Sequence, residues 1–555
     1  MTFGVRSVHG VPSDYNLQAL DYIKPSGLHW VGNANELNAG YAADGYARIK
    51  GVSALVTGFG VGELSAINAI GGAYSERVPV VHIVGTPLRA AQEAGVCVHH
   101  TLGDGNYRVF AEMYEKVTVA ECILKSGPVY IELPTDMVTV QVSGDELSRP
   151  MDIEVPANDP ETEEAIITQV LERIYAAKRP HIIVDGFSSS YGYRQEANEL
   201  VRATRFPTSA AIFGKSVIDE QNSNFIGVYS GVFGNQSFHA WAQSCDLVLR
   251  LGPLDSDTNT YGFTTVPDPE VRIDFHGHSV DIGGINAGLE KNNKIHVKSL
   301  LQKLLRRLDQ SRLPQHENPL SQFKSPKMAV TLSSLEQDGL ITQDLFWKRM
   351  SSFFRPGDII LTETGTAYTG GGEFELPTNT TLINSSIWLS IGYMLGACCG
   401  SALALREMVS EYLRPEGRII CFEGDGSLQM TAQAISDMIR NRLDVVIFVI
   451  NNDGYTIERL IHGMTESYND IQPWRYLEAP NYFGAPRDDP QYPVTTSQAS
   501  NWGELEKVMS NEKLQSGKGF NIVEIMMPRE DGPETLKNLA AYVAKRNRST
   551  NSSMA

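Results

Sequence analysis

Two loops in the C-terminal third carry residues whose types and order suit an anion held together with its own metal ion. Glu423-Gly424-Asp425-Gly426-Ser427 follows an apolar run at 419–422, and Asn451-Asn452-Asp453-Gly454 closes a second run at 445–450. Gly424 and Gly426 let the backbone approach an anion closely, and a helix beginning near Ser427 offers free N–H groups. Asp425 brings a hard oxygen suited to magnesium, and Asn452 with the carbonyl of Gly454 could complete part of an octahedron. Magnesium keeps few protein ligands and shares phosphate oxygens, so the simplest anion is a diphosphate. Either loop alone could be an ordinary turn. Paired strand ends with a helix between them, at the edge where open α/β sheets bind ligands, make the site reading the stronger one.

The N-terminal segment holds three further candidates, each ordinary by itself. Asp14 follows Val11-Pro12-Ser13, where an acid commonly caps a helix. Glu36 opens a helical pattern, where a first-turn acid answers the helix dipole. His99-His100 could be a core pair or a loop surface.

The elements that must position these residues are alternating strands and helices. Residues 28–31, 54–56 and 80–84 read as strands and 36–49 and 63–74 as helices, which predicts a parallel α/β sheet. The Gly58-Phe59-Gly60-Val61-Gly62-Glu63 stretch lacks dinucleotide spacing and reads as a structural turn. A middle α/β unit follows, with helices at 163–177 and 196–203 and strands at 181–184, 247–251 and 271–275. Polar, proline-dotted stretches at 143–161 and 309–326 read as linkers. Residues 388–405 read as one tightly packed buried helix rather than a membrane span, and the polar tail 549–555 as disordered.

Composition narrows the class. At 555 residues the chain is long enough for three domains. A formal charge of −18 argues against a nucleic-acid surface, leaving small molecules as partners. Six cysteines without CxxC spacing, and no signal-peptide pattern, predict a reduced cytoplasmic protein with no membrane association.

The GDGS turn, the helix, the second strand and Asn451-Asn452-Asp453-Gly454-Tyr455-Thr456-Ile457-Glu458 together carry a resemblance. With Arg459-Leu460-Ile461-His462-Gly463 and Tyr468-Asn469-Asp470-Ile471-Gln472, the chain resembles the thiamine-diphosphate-dependent 2-oxo acid decarboxylases, the fungal pyruvate decarboxylases among them, over nearly its whole length. The resemblance implies three open, mostly parallel α/β domains: pyrimidine-binding at 1–142, central at 162–308 and diphosphate-binding at 329–546. It implies thiamine diphosphate and Mg²⁺ as cofactors, and a homodimer or homotetramer whose site forms between the first domain of one subunit and the third of another.

Residue by residue, it implies that Glu36 hydrogen-bonds N1′ of the aminopyrimidine while Asp14, His99, His100 and Glu458 line the reaction centre. A desolvated carboxylate at N1′ would favour the imino tautomer, whose nitrogen can take the thiazolium proton. Thr364, Thr366, Leu389, Ser390, Ile391, Gly426, Ser427, Asn452, Asp453, Gly454, Tyr455, Thr456 and Ile457 are the implied cofactor contacts, with Ile391 the wedge that bends it. Asp425, Asn452 and Gly454 are the implied metal ligands. The implied reaction is non-oxidative decarboxylation of a pyruvate-like 2-oxo acid to an aldehyde and CO₂.

Four departures stand against that pattern. Leu389 occupies a position where the family has Gly, with a carbonyl that meets the 4′-amino group. Tyr368-Thr369 replaces a small residue and an aromatic on a strip expected to border the substrate. The N-terminus begins late, and about one helix is missing after Ala120. Tyr368 motivates a second reading, a decarboxylase or carboligase for a bulkier or aromatic 2-oxo acid. The two deletions motivate a third, a non-catalytic paralogue.

Overall fold

Val445–Asn451 reads VVIFVIN, apolar at every position but the last, as a strand covered on both faces must be. In the computed structural model, which describes residues 4–119, 127–145, 157–287, 295–316, 319–323 and 335–552, it lies inside a six-stranded, all-parallel sheet. The strand order is Thr381–Ile383, Ile359–Thr362, Ile419–Gly424, Val445–Asn451, Phe520–Met526, Val494–Ala499. Alternate side chains divide between two cores, as a period of two requires. Ile359, Leu361, Cys421, Val445 and Ile447 pack toward helix Tyr393–Ser410, while Ile360, Phe422, Val446 and Phe448 pack toward Phe346 and Trp347.

The N-terminal sheet is also all parallel, in the order His29–Trp30, Ser7–Gly10, Ser53–Gly58, Val80–Thr86, Val129–Pro134. Its second strand, Ser7–Gly10, was not legible in the sequence: SVHG is short and half polar, yet all four residues are buried. The middle sheet has seven strands, in the order Ile285–Ala287, Val280–Ile282, Arg272–Phe275, Leu247–Leu251, Pro180–Val184, Thr208–Ala210, Phe225–Val228. Its first three strands pair antiparallel and the rest parallel. The expected fold class, three open and mostly parallel α/β units, is the one observed.

Three expectations are corrected. Residues 388–392 are loop, and the buried helix is Tyr393–Ser410, because Leu389 adopts a left-handed φ of 52° and Gly392 one of 88°. The helix after the GDG turn starts at Asp425 rather than near Ser427 and runs only to Thr431. A second helix, Ala434–Arg440, continues the apolar face. The C-terminal helix Glu534–Ser552 extends into the tail expected to be disordered. The stretch after Ala120 where a helix is missing and residues 146–156 of the first linker lie outside the described residues, while most of 309–326 is described and holds two short helical turns, Gln310–Arg312 and Leu320–Phe323.

The first and third units are joined within one chain by two helices packed face to face, Glu36–Lys50 and Tyr393–Ser410. A Cβ on Gly400 would lie 1.8 Å from the carbonyl oxygen of Ala42, and one on Gly45 would lie 2.3 Å from that of Ala397. Only glycine permits that approach. At the helix ends, Lys50 Nζ lies 2.7 Å from Glu407 Oε2, and Asn35 caps the N-terminus by accepting from the Asn38 N–H at 2.8 Å.

Candidate active site

Parallel strands finish at one edge, so the loops after them meet there. At the C-terminal sheet, Asp425 is 2% exposed and follows strand Ile419–Gly424. Its carboxylate accepts from the N–H of Gly426 at 2.8 Å and of Gly454 at 2.9 Å, which locks the two loops together. Burial nevertheless pushes its carboxyl up to about 6. In the orientation that satisfies its amide, Asn452 donates to the Gly454 carbonyl oxygen at 3.0 Å and to Asp425 Oδ1 at 3.3 Å and accepts from Thr456 Oγ1 at 2.9 Å.

The Asp425 carboxylate, the Asn452 amide and the Gly454 carbonyl oxygen thus converge at the strand ends. With the amide turned so that its oxygen faces the other two, they form a set of hard donors that suits a small cation such as Mg²⁺. The Tyr455 ring lies over Gly426, where a Cβ would be 2.6 Å from Cε1. The Asp453 carboxylate turns aside to Arg529 Nε at 2.9 Å. Ser427 Oγ accepts from the Gly424 N–H at 3.1 Å and closes the turn.

Glu458 follows on helix Thr456–Ile461. Its Oε2 is buried without a hydrogen-bond partner among the described residues, and burial raises its carboxyl above the usual range. An acid in that state is suited to holding or passing a proton.

The N-terminal sheet edge gathers the second group. Asp14 Oδ2 lies 3.2 Å from His99 Nε2, with the two side chains 72% and 55% exposed, so this pair is open to solvent in the single chain. Tyr15 stacks on His99 with centroids 4.8 Å apart and donates to its carbonyl oxygen at 3.1 Å. His100, at φ 66°, contacts His99 edge-on. Glu36 is half-buried at the first turn of its helix.

Between them runs the 58–62 turn, whose part the sequence reading missed. A Cβ on Gly58 would lie 2.1 Å from Ser13 Oγ, one on Gly60 2.1 Å from the His100 carbonyl oxygen, and one on Gly62 3.2 Å from Glu36 Oε1. Each glycine therefore abuts one of the three candidate loops, and the signal for this was their strict alternation. Glu63 anchors the turn, accepting from the Gly60 N–H at 2.8 Å and the Tyr130 hydroxyl at 2.7 Å. Among the described residues no hydrogen bond or ion pair links the Asp14, Glu36, His99 and His100 group to Asp425, Asn452 or Glu458.

A third set lies on 364–391. Thr364 and Thr366 flank Gly365 and are half-buried, as are Leu389, Ser390 and Ile391. Ser390 Oγ pairs with the Tyr41 hydroxyl at 2.7 Å and accepts from Asn68 Nδ2 at 3.1 Å. Glu363, before the threonines, accepts from the N–H of Thr364 at 2.7 Å and of Met394 at 2.9 Å. It is fully buried beside Glu423, and desolvation raises both carboxyls. This acid pair behind the anion loop was also unforeseen. Glu76, likewise missed, accepts from Ser385 Oγ at 2.6 Å and the Ser386 N–H at 2.9 Å, and its other oxygen lies 2.5 Å from Arg48 Nη2. Tyr368 is enclosed. It is 8% exposed and packs with Ile212 and Tyr261 of the middle unit.

Comparison with known proteins gives a family match for each of three stretches of the chain. Residues 2–107 match the thiamine pyrophosphate enzyme N-terminal TPP-binding domain, 167–307 the central domain and 364–486 the C-terminal TPP-binding domain. The chain is 45% identical to the pyruvate decarboxylase of Aspergillus fumigatus, covering 98% of this chain and 95% of that protein. It is 45% identical to that of Aspergillus parasiticus (97% and 95%) and 38% identical to that of Candida glabrata (98% and 96%).

Proposed function

The chain belongs to the thiamine pyrophosphate enzyme family as a pyruvate decarboxylase-like, thiamine-pyrophosphate-dependent decarboxylase, and on that premise we propose that it converts pyruvate to acetaldehyde and CO₂ with Mg²⁺ as its metal. The observation that carries the metal and cofactor assignment is the convergence of the Asp425 carboxylate, the Asn452 amide and the Gly454 carbonyl at the strand ends. Asp425, Asn452 and Gly454 would hold Mg²⁺ and, through it, the diphosphate. Gly426 and Ser427 would offer backbone N–H groups at the start of helix Asp425–Thr431.

When bound, thiamine diphosphate supplies the carbon nucleophile and takes up the electrons that CO₂ leaves behind. Glu36 would hydrogen-bond the pyrimidine N1′. Glu458, with Asp14, His99 and His100, would hold and return the proton that the product needs. Asp14 and His99 stand open to solvent in one chain. That exposure supports a homodimer, in which a second copy would cover them, as the smallest working unit, with a tetramer built from it. Free cysteines, four of the five described ones buried, support work in the reducing cytosol.

Tyr368 no longer motivates an aromatic substrate, because its ring is enclosed between units. Being an enzyme of this family, the chain is not a non-catalytic paralogue. The test is aldehyde release by purified protein with thiamine diphosphate and Mg²⁺, with pyruvate and phenylpyruvate compared by kcat/KM. Glu36→Gln should lose about 100-fold or more in kcat while still binding cofactor. Turnover that survives the substitution would remove Glu36 from its role, and a preference for phenylpyruvate would overturn pyruvate as substrate.

A further inference from the structure

The loop 385–391 is held from all three units. Ser386 has no exposed surface. Its N–H donates to Glu76 Oε1 of the first unit at 2.9 Å. Its carbonyl oxygen accepts from Ser256 Oγ at 2.8 Å and Thr258 Oγ1 at 2.7 Å, both of the middle unit. Its hydroxyl meets the Tyr368 hydroxyl of the third unit at 2.9 Å. Ser385 Oγ, one residue earlier, accepts from the Leu389 N–H at 2.9 Å. Leu389 itself is held at φ 52°, a left-handed conformation that is strained for a residue with a Cβ. Such strain persists only where the surroundings over-determine it.

We infer that Tyr368 is a positioning residue that compensates for Leu389, pinning Ser386 so that the loop keeps the left-handed turn at 389. The two departures are then one device. Glycine at 389 adopts the left-handed turn without strain and needs no strut. Leucine would relax out of it, and the buried Tyr368–Ser386 hydrogen bond, with the Ser256 and Thr258 hydroxyls on the same residue, opposes that relaxation. The inference rests on the reading that this loop presents the Leu389 backbone to the cofactor. If so, apparent cofactor affinity scales with the fraction of molecules in which the turn is formed. Tyr368 touches neither substrate nor cofactor in this account and acts through Ser386.

Tyr368→Phe keeps the ring packing and deletes the hydroxyl, which orphans Ser386 Oγ. Two measurements are made on it, on Leu389→Gly and on the double variant: amide hydrogen exchange of 385–391 in the cofactor-free protein, and the Kd of thiamine diphosphate at fixed Mg²⁺ from tryptophan quenching. Tyr368→Phe should speed exchange and weaken binding by about three- to tenfold. In the Leu389→Gly background the same substitution should change Kd by less than about twofold. Relative kcat/KM for pyruvate and phenylpyruvate should be the same in Tyr368→Phe and wild type, since the ring lines no substrate pocket. Unchanged exchange in Tyr368→Phe, or an equal penalty with glycine at 389, overturns the strut while leaving the cofactor reading intact. Wild-type protein that binds no thiamine diphosphate overturns the cofactor reading and, with it, the strut's part in binding.

Discussion

At the scale of single residues, the site is a problem of oxygens. Asp425 supplies the one full negative charge among the three that converge, so Asp425→Asn should weaken Mg²⁺ binding by more than about tenfold, since even neighbours of metal ligands are worth that much. A Mg²⁺ titration of cofactor-dependent quenching measures it, and an unchanged midpoint would take Asp425 out of the metal site. Asp425, Asn452 and Gly454 were readable from the chain because glycine, acid and amide lie within two short loops whose flanking strands announce themselves. Glu63, Glu76 and Glu363 were not. Each is an acid in a helix-like or strand-end setting with at least one buried partner far off in sequence: Tyr130 for Glu63, Met394 for Glu363, and Ser385 and Ser386, more than 300 residues away, for Glu76. Leu389 was conspicuous only as a departure; its backbone angle explained why glycine suits that position.

At the scale of elements, the 58–62 turn depends on a carboxyl that burial pushes from 4.5 to about 7. The folded state therefore binds the Glu63 proton more tightly than the unfolded chain does. Its stabilising contribution is complete below pH 4.5 and is lost as the pH rises from there to about 7. At 1.36 kcal/mol per pKa unit the loss approaches about 3 kcal/mol. Glu63→Gln carries no such penalty, so its stability relative to wild type should improve steadily between pH 5 and 8 in urea titrations. A difference independent of pH would show that Glu63 titrates normally. Long apolar strands and capped helices such as Val445–Asn451 and Glu36–Lys50 were legible from periodicity, to within a few residues at each end. Ser7–Gly10 was not, because a four-residue strand gives too little pattern and its burial is imposed by the neighbours on either side.

At the scale of the whole molecule, Glu36–Lys50 and Tyr393–Ser410 meet backbone to backbone and tie the first unit to the third. Gly400→Ala should cost about 1–3 kcal/mol, the usual range for overpacking a tight core, and should do so in a single cooperative unfolding transition. Two separated transitions would mean that the units fold independently. The middle unit contributes hydroxyls to the loop at 385–391, an arrangement that no stretch of sequence announces, since Ser256 and Thr258 lie about 130 positions from Ser386. The helix pair has a further consequence during synthesis. Gly45 meets its contact Ser401 only after 356 more residues have been added, which takes a ribosome about 20–70 s at ordinary elongation rates. Through that interval the small-residue stripe around Tyr41, Ala42 and Tyr46 has no third-unit surface to close against. A nascent chain of this protein thus offers a holding chaperone a defined target and a defined window, ending when residues 393–410 emerge.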